Sequence, residues 1–252
     1  MTSESKRQQP LRPDNASSRQ RIFGRIQAAR AQQAPGSQTG LTPQTHGAAP
    51  AAEGPSTASL RQRMGDGARG PQPVVPASLT DSFVQKALAL SCTVDRVDQP
   101  AHIAPAIAAY LTSSGLPAHV VAWPSLSQAG WLDSLTAHGL SLRLGAPTGD
   151  DLVGLSSVSC AVAETGTLVL RSSPDTPAST HLLPETHIAV LSCDDIVLTL
   201  EDAFERLKAS GQPLPRALNL VSGPSRTGDI EQTIVLGAHG PYRVHLVLVD
   251  GA

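Results

Sequence analysis

Residues 187–211, HIAVLSCDDIVLTLEDAFERLKASG, contain the change of period from which the fold is read. His187 to Ser192 is a short apolar run with the length of a buried strand. Asp194 or Asp195 is then read as a helix cap, after which Ile196, Leu200, Ala203, Phe204 and Leu207 recur at helical spacing until Gly211 ends the helix. A strand running straight into a helix is the repeating unit of an α/β fold. Val244 to Val249, VHLVLV, is apolar at nearly every position, as expected of a strand covered on both faces.

The same alternation extends outward from this stretch. Residues 80–91 and 100–114 are helical by spacing, and His119 to Trp123 is a strand closed by Pro124. Trp131 to His138 reads as a helix ending at Gly139, followed by a strand from Leu140 to Leu144. Ser159 to Ala163 and Thr167 to Arg171 flank a tight turn, and Ala217 to Val221 is a further strand. The reading is an α/β sheet with helices on its faces, in which ligands sit beyond the carboxyl ends of strands.

The front of the chain has a different character. Of the 252 residues 40% are apolar and 3% aromatic, and many of the 21 glycines and 21 prolines lie early. The net charge of −2 is too mild for a dedicated nucleic-acid binder. It conceals two opposed segments: the first 70 residues have ten Lys/Arg against four acids, the remainder nine against seventeen. Residues 1–31 read as a basic segment with one short amphipathic helix over 17–31, suited to docking on an acidic partner or to lying on its own domain. Residues 32–76, rich in Ala, Gln, Gly and Pro, bury too little apolar surface to offset chain entropy and are expected to be a disordered linker. Residues 77–252 have the size of one domain. No run reaches the roughly 18 apolar residues of a membrane helix, and the opening MTSESKRQQP lacks a signal peptide's apolar core, so a cytoplasmic protein without a membrane span is expected.

Two loops are the candidates for chemistry. Glu164, Thr165, Gly166 and Thr167 form a turn where a carboxylate at a strand end can project into a crevice. If buried, Glu164 would have a raised pKa and could serve as a base or nucleophile; the alternative is that it caps loop amides. The second loop follows Val221. Gly223 permits close backbone approach, Ser225 and Thr227 add hydroxyls, and Arg226 supplies a planar charge suited to carboxylate or phosphate. Asp229 starts a helical turn, and it or Glu231 offers Arg226 a partner if the loop is only structural. His239, between Gly237 and Gly240, can reach a ligand or transfer a proton near neutral pH. Cys92, Cys160 and Cys193 are widely spaced and read as core thiols. His181, His187 and His245 lack ligand spacing, so no metal is expected in this chain.

Ala163-Glu164-Thr165-Gly166-Thr167-Leu168-Val169-Leu170, then Leu182-Leu183-Pro184 with His187-Ile188, then Gly223 through Glu231 and Leu236 to Pro241 resemble, in order and spacing, the LUD-domain family. The resemblance covers roughly residues 80–250 and implies a Rossmann-like α/β sandwich of the NagB/RpiA/CoA-transferase-like type. It further implies a non-redox component of a cytoplasmic system that oxidises L-lactate to pyruvate. In that system iron–sulfur clusters belong to partner proteins and this chain holds no cofactor. The alternative is a CoA-transferase or isomerase-like enzyme, with a small anionic substrate in the crevice between the Glu164 turn and the Arg226 loop. The fold admits several chemistries, so the site has to decide.

Overall fold

The apolar runs become the inner strands of one parallel sheet. In the computed structural model the described residues are 24–25, 56–59, 62, 69–227 and 235–251. The chain divides into two units, Met1–Gln62 and Arg63–Ala252. Most of the expected amphipathic helix and linker lies outside the described residues; within those stretches 24–25, 57–59 and 62 are helical, and 69–76 has no regular structure.

The second unit opens with α1 (Leu79–Ala89), capped by the Ser78 side chain, which accepts from the Asp81 amide. Then follow β1 (Thr93–Val97), α2 (Ile103–Ser113), β2 (His119–Ala122), the single-turn α3 (Ser134–Ala137), β3 (Ser141–Leu144) and β4 (Val153–Ser157). A hairpin comes next, β5 (Cys160–Val162) and β6 (Thr167–Arg171), then β7 (Thr186–Ser192), β8 (Ile196–Val197) and α4 (Leu200–Ala209). β9 (Leu218–Val221), β10 (Arg226–Thr227), β11 (Val235–Leu236) and β12 (Arg243–Val249) complete the unit.

Six strands form the central sheet in the order β1-β12-β7-β4-β2-β3, all pairs parallel. β7 and β12 are its buried middle, which explains their apolar sequences. A second, four-stranded sheet, β8-β5-β6-β9, is mixed: β5 pairs antiparallel with β6 and parallel with β8. The sequence reading expects one sheet, whereas Cys160 to Arg171 and Leu218 to Val221 leave it for this second one. α1 packs on β1 and β8, α2 on β1 and β12, and α4 on β5 and β8. Phe83, Ile107, Leu155, Ile188 and Leu246 are fully or almost fully buried in the main core.

Three local readings are corrected. The helix expected from Asp194 or Asp195 begins at Leu200: the Thr199 side chain accepts from the Asp202 amide, and Asp202 accepts from the Thr199 amide, a capping box. Ile196 and Val197, both β-branched, pair instead with Ala161 and Val162 as β8. The buried face of α4 is therefore Ala203 with Leu200 and Leu207 packed beside it, while Phe204 stays 47% exposed. The helix expected over Trp131 to His138 shortens to Ser134–Ala137, which has no side-chain cap. Thr93–Val97 and Val153–Ser157, not expected as strands, belong to the central sheet. In β4, Gly154 disguises the strand. A Cβ there would stand 2.0 Å from the Thr180 carbonyl oxygen, so only glycine lets that backbone pass.

Candidate functional site

The two loops singled out by sequence meet at the end of α1. Gly166 adopts φ 69°, and the turn lies so close to α1 that a Cβ on it would stand 2.8 Å from Lys86 Cβ. Thr165 Oγ1 and Thr167 Oγ1 are 2.7 Å apart, and Thr167 Oγ1 is 2.7 Å from Ser222 Oγ, which ties the turn to the second loop. Gly223 passes directly over Leu90, and Arg226 donates to the Ser91 hydroxyl and toward the Leu90 carbonyl oxygen at 3.5 Å. A guanidinium at a helix carboxyl terminus complements the helix dipole. Arg226 is thus committed to α1.

Glu164 does not meet the condition of burial. It is exposed, held by its backbone amide donating to the Leu198 carbonyl at 3.1 Å, and its carboxylate has no hydrogen bond among the described residues. Ser225 clasps the next turn: its amide donates to Pro241 O at 2.8 Å, and its carbonyl accepts from Gly237 N at 2.9 Å. Thr227 pairs with Val235 in β10–β11. Asp229 and Glu231 lie outside the described residues. His239 is exposed and lines a separate groove of about 410 Å³ with Leu182, Leu183 and Tyr242, at the amino ends of β7 and β12. Thr165, Gly166, Thr167, Gly223 and Arg226 are brought together around α1; Glu164 and His239 stand outside that cluster.

A larger cavity, about 780 Å³, lies where chain topology reverses. β2 continues to β3 on one side of the sheet, whereas β4 continues to β7 on the other, and β2 and β4 are neighbours. The carboxyl ends of such a strand pair diverge and leave a crevice. Trp123 after β2, Ser157 and Ser159 at the end of β4, and Arg171, Ser173 and Arg216 line it. It occupies the end of the β5–β6 hairpin opposite Glu164.

Arg171 donates to Gln212 Oε1 and to Pro213 O, both at 2.9 Å, and so holds the 212–216 loop at the cavity wall. Trp123 Nε1 donates to Pro177 O at 3.0 Å, which fixes its ring beneath the cavity. That ring meets His181 edge-on, centroids 5.9 Å apart, and His181 lies 5.7 Å from His187. His187 Nε2 is 2.8 Å from Ser156 Oγ; its Nδ1 and both nitrogens of His181 are buried without a hydrogen-bond partner. Burial pushes His181 down to about 4. His187 falls to about 3, through burial first and the neighbouring His181 second. Both imidazoles are neutral at ordinary pH.

Sequence reasoning set these histidines aside and overlooked Arg171 and Arg216. The available signal was Arg171-Ser172-Ser173-Pro174, a cation and a turn directly after an apolar strand. Cys92 and Cys160 are buried and Cys193 is half-buried, and burial is the main cause that raises each thiol to about 11.

Comparison with known proteins fits this topology. The LUD domain family matches residues 150–249, the span from β4 to β12. Over that span the chain is similar to the LUD domain family. Lactate utilization protein C from Bacillus subtilis (strain 168) is 38% identical over 101 residues, covering 39% of this chain and 42% of that protein. Lactate utilization protein C from Macrococcus caseolyticus is 31% identical over 141 residues, covering 52% and 61%. The chain thus spans about two fifths to three fifths of the length of these curated relatives. A solved structure of a DUF162 family protein from Deinococcus radiodurans is 26% identical, with a TM-score of 0.53 over 70% of this chain and 99% of that one. The matched span includes the Glu164 turn, the Arg226 loop and most of the cavity wall, whereas Trp123 precedes it. Among the described residues, no helix is long and apolar enough to cross a membrane.

Proposed function

We propose that this chain is a cytoplasmic component of an L-lactate utilisation system, acting with iron–sulfur partner proteins that oxidise lactate to pyruvate and carrying no electrons itself. The observation that carries the reading is the 38% identity with Lactate utilization protein C across 101 residues. The thiols support the division of labour. Iron–sulfur clusters are held by cysteine thiolates, and this chain has three cysteines, each pushed up to about 11.

The test is genetic and then biochemical. Deleting the gene is expected to abolish growth on L-lactate as sole carbon source and to leave growth on pyruvate intact. A tagged chain from lactate-grown cells is expected to bring down iron and L-lactate-dependent dye reduction, both absent from the recombinant chain alone. Unchanged growth on lactate in the deletion strain refutes the reading.

A further inference from the structure

We propose that the cavity at the carboxyl ends of β2 and β4 binds an organic phosphate of nucleotide size, its phosphate between Arg171 and Arg216 and its body against the 212–216 loop. The inference goes beyond the lactate reading and does not depend on it.

Charge is the first argument. After residue 70 acids outnumber Lys and Arg seventeen to nine, yet none of the cavity's lining residues is Asp or Glu. The described cations elsewhere are often paired: Arg69 with Asp202 and Glu205, Arg96 with Asp250, Arg143 with Asp151, Arg206 with Asp195. Arg171 bonds only to neutral acceptors, and Arg216 has no hydrogen bond or ion pair among the described residues. Two guanidinium charges without a carboxylate partner therefore line one concave site. Their planar forks suit the oxygens of a phosphate.

Donor number and volume narrow the class. The hydroxyls of Ser157 and Ser159 have no hydrogen bond within the described residues, so they add to the guanidinium donors. Such a set exceeds what the two oxygens of one carboxylate engage and matches the three terminal oxygens of a phosphate monoester. A 2-hydroxy acid would fill a small part of about 780 Å³, a volume in the range that encloses ligands of drug or cofactor size. Val158, Pro174, Pro213, Leu214 and Pro215 give the wall an apolar part, with Leu214 96% exposed, beside the polar Ser172, Ser173, Thr176 and Gln212. An exposed leucine flanked by two prolines is a stiff apolar surface for the body of a ligand. Because Arg171 anchors this loop, phosphate and body contacts are coupled through one side chain.

The test is titration of the full chain with ADP, with inorganic phosphate, L-lactate and pyruvate as separate probes, by calorimetry and by thermal shift. ADP is expected to saturate one site at sub-millimolar concentration and to raise Tm, with the carboxylates failing to displace it. Arg216→Ala is expected to weaken ADP by about 10- to 100-fold, the loss of one charge-assisted contact, with Tm of the free protein unchanged because Arg216 is exposed and unpaired. Lys208→Ala, an exposed change of the same charge on α4, is expected to leave ADP affinity intact. No ADP binding at roughly millimolar concentration, or binding indifferent to Arg216→Ala, overturns the proposal. Inorganic phosphate binding as tightly as ADP overturns the size class, and L-lactate or pyruvate binding in its place overturns the phosphate.

Discussion

Replacing Gly166 with alanine tests whether the turn at Glu164 is seated on α1 as described. Two costs add. The first is conformational: φ 69° is left-handed, where an L-residue with a Cβ loses roughly 1–2 kcal/mol, partly offset by the lower chain entropy of unfolded alanine. The second is steric. The new Cβ would stand 2.8 Å from Lys86 Cβ and 2.9 Å from the Ala87 amide nitrogen, and helix backbone cannot swing aside as a side-chain tip can. Overpacking of this kind costs about 1–3 kcal/mol. Gly115, with φ 64° and nothing within 4 Å of an added Cβ, isolates the first cost. Gly115→Ala is expected to lose about 1 kcal/mol and Gly166→Ala about 2–5 kcal/mol. In a domain of this size these are Tm drops of roughly 2–4 °C and 4–20 °C by calorimetry. Equal losses in the two variants would refute the close approach of the turn to α1, and with it the structural reason for glycine in this motif.

Three further outcomes are expected. Because burial holds His181 and His187 neutral down to about 4 and 3 while the unfolded chain takes up protons near 6.5, their contribution is intact above pH 6.5 and is lost as pH falls toward 4. Each histidine steepens the pH dependence of unfolding by up to about 1.4 kcal/mol per pH unit, so a His181→Asn, His187→Gln double variant should show a shallower slope in urea titrations across pH 4–6.5; an unchanged slope rejects the assignment. Thr199→Ala removes the cap of α4 and should cost about 1 kcal/mol, read as a lower urea midpoint at constant m-value. Glu164→Gln, an exposed change, should leave both Tm and growth on lactate as they were; lost growth at unchanged Tm would instead support acyl-transfer chemistry at this carboxylate.

What the chain determines locally was legible in its sequence. The α/β class follows from period and apolar content: β7 and β12 show their burial on both faces directly, and α1 and α2 fall where their spacing puts them. The LUD-like motifs were visible because they are runs of adjacent residues. Competition between local signals was not legible. Asp194 and Asp195 looked like caps, but the capping box at Thr199 and the pairing of Ile196 with Ala161 moved the helix start five or so residues onward. The strand at Val153–Ser157 was not read, because the Thr180 carbonyl that requires Gly154 there lies 26 positions away. Only the tertiary structure could decide that Arg226 serves α1, that Glu164 faces solvent, and that Arg171 and Arg216 line one cavity. Strand order depends on which distant strands pair, and that choice created the crevice between β2 and β4. Period and composition report how each segment is buried; they carry no information about which segment buries it.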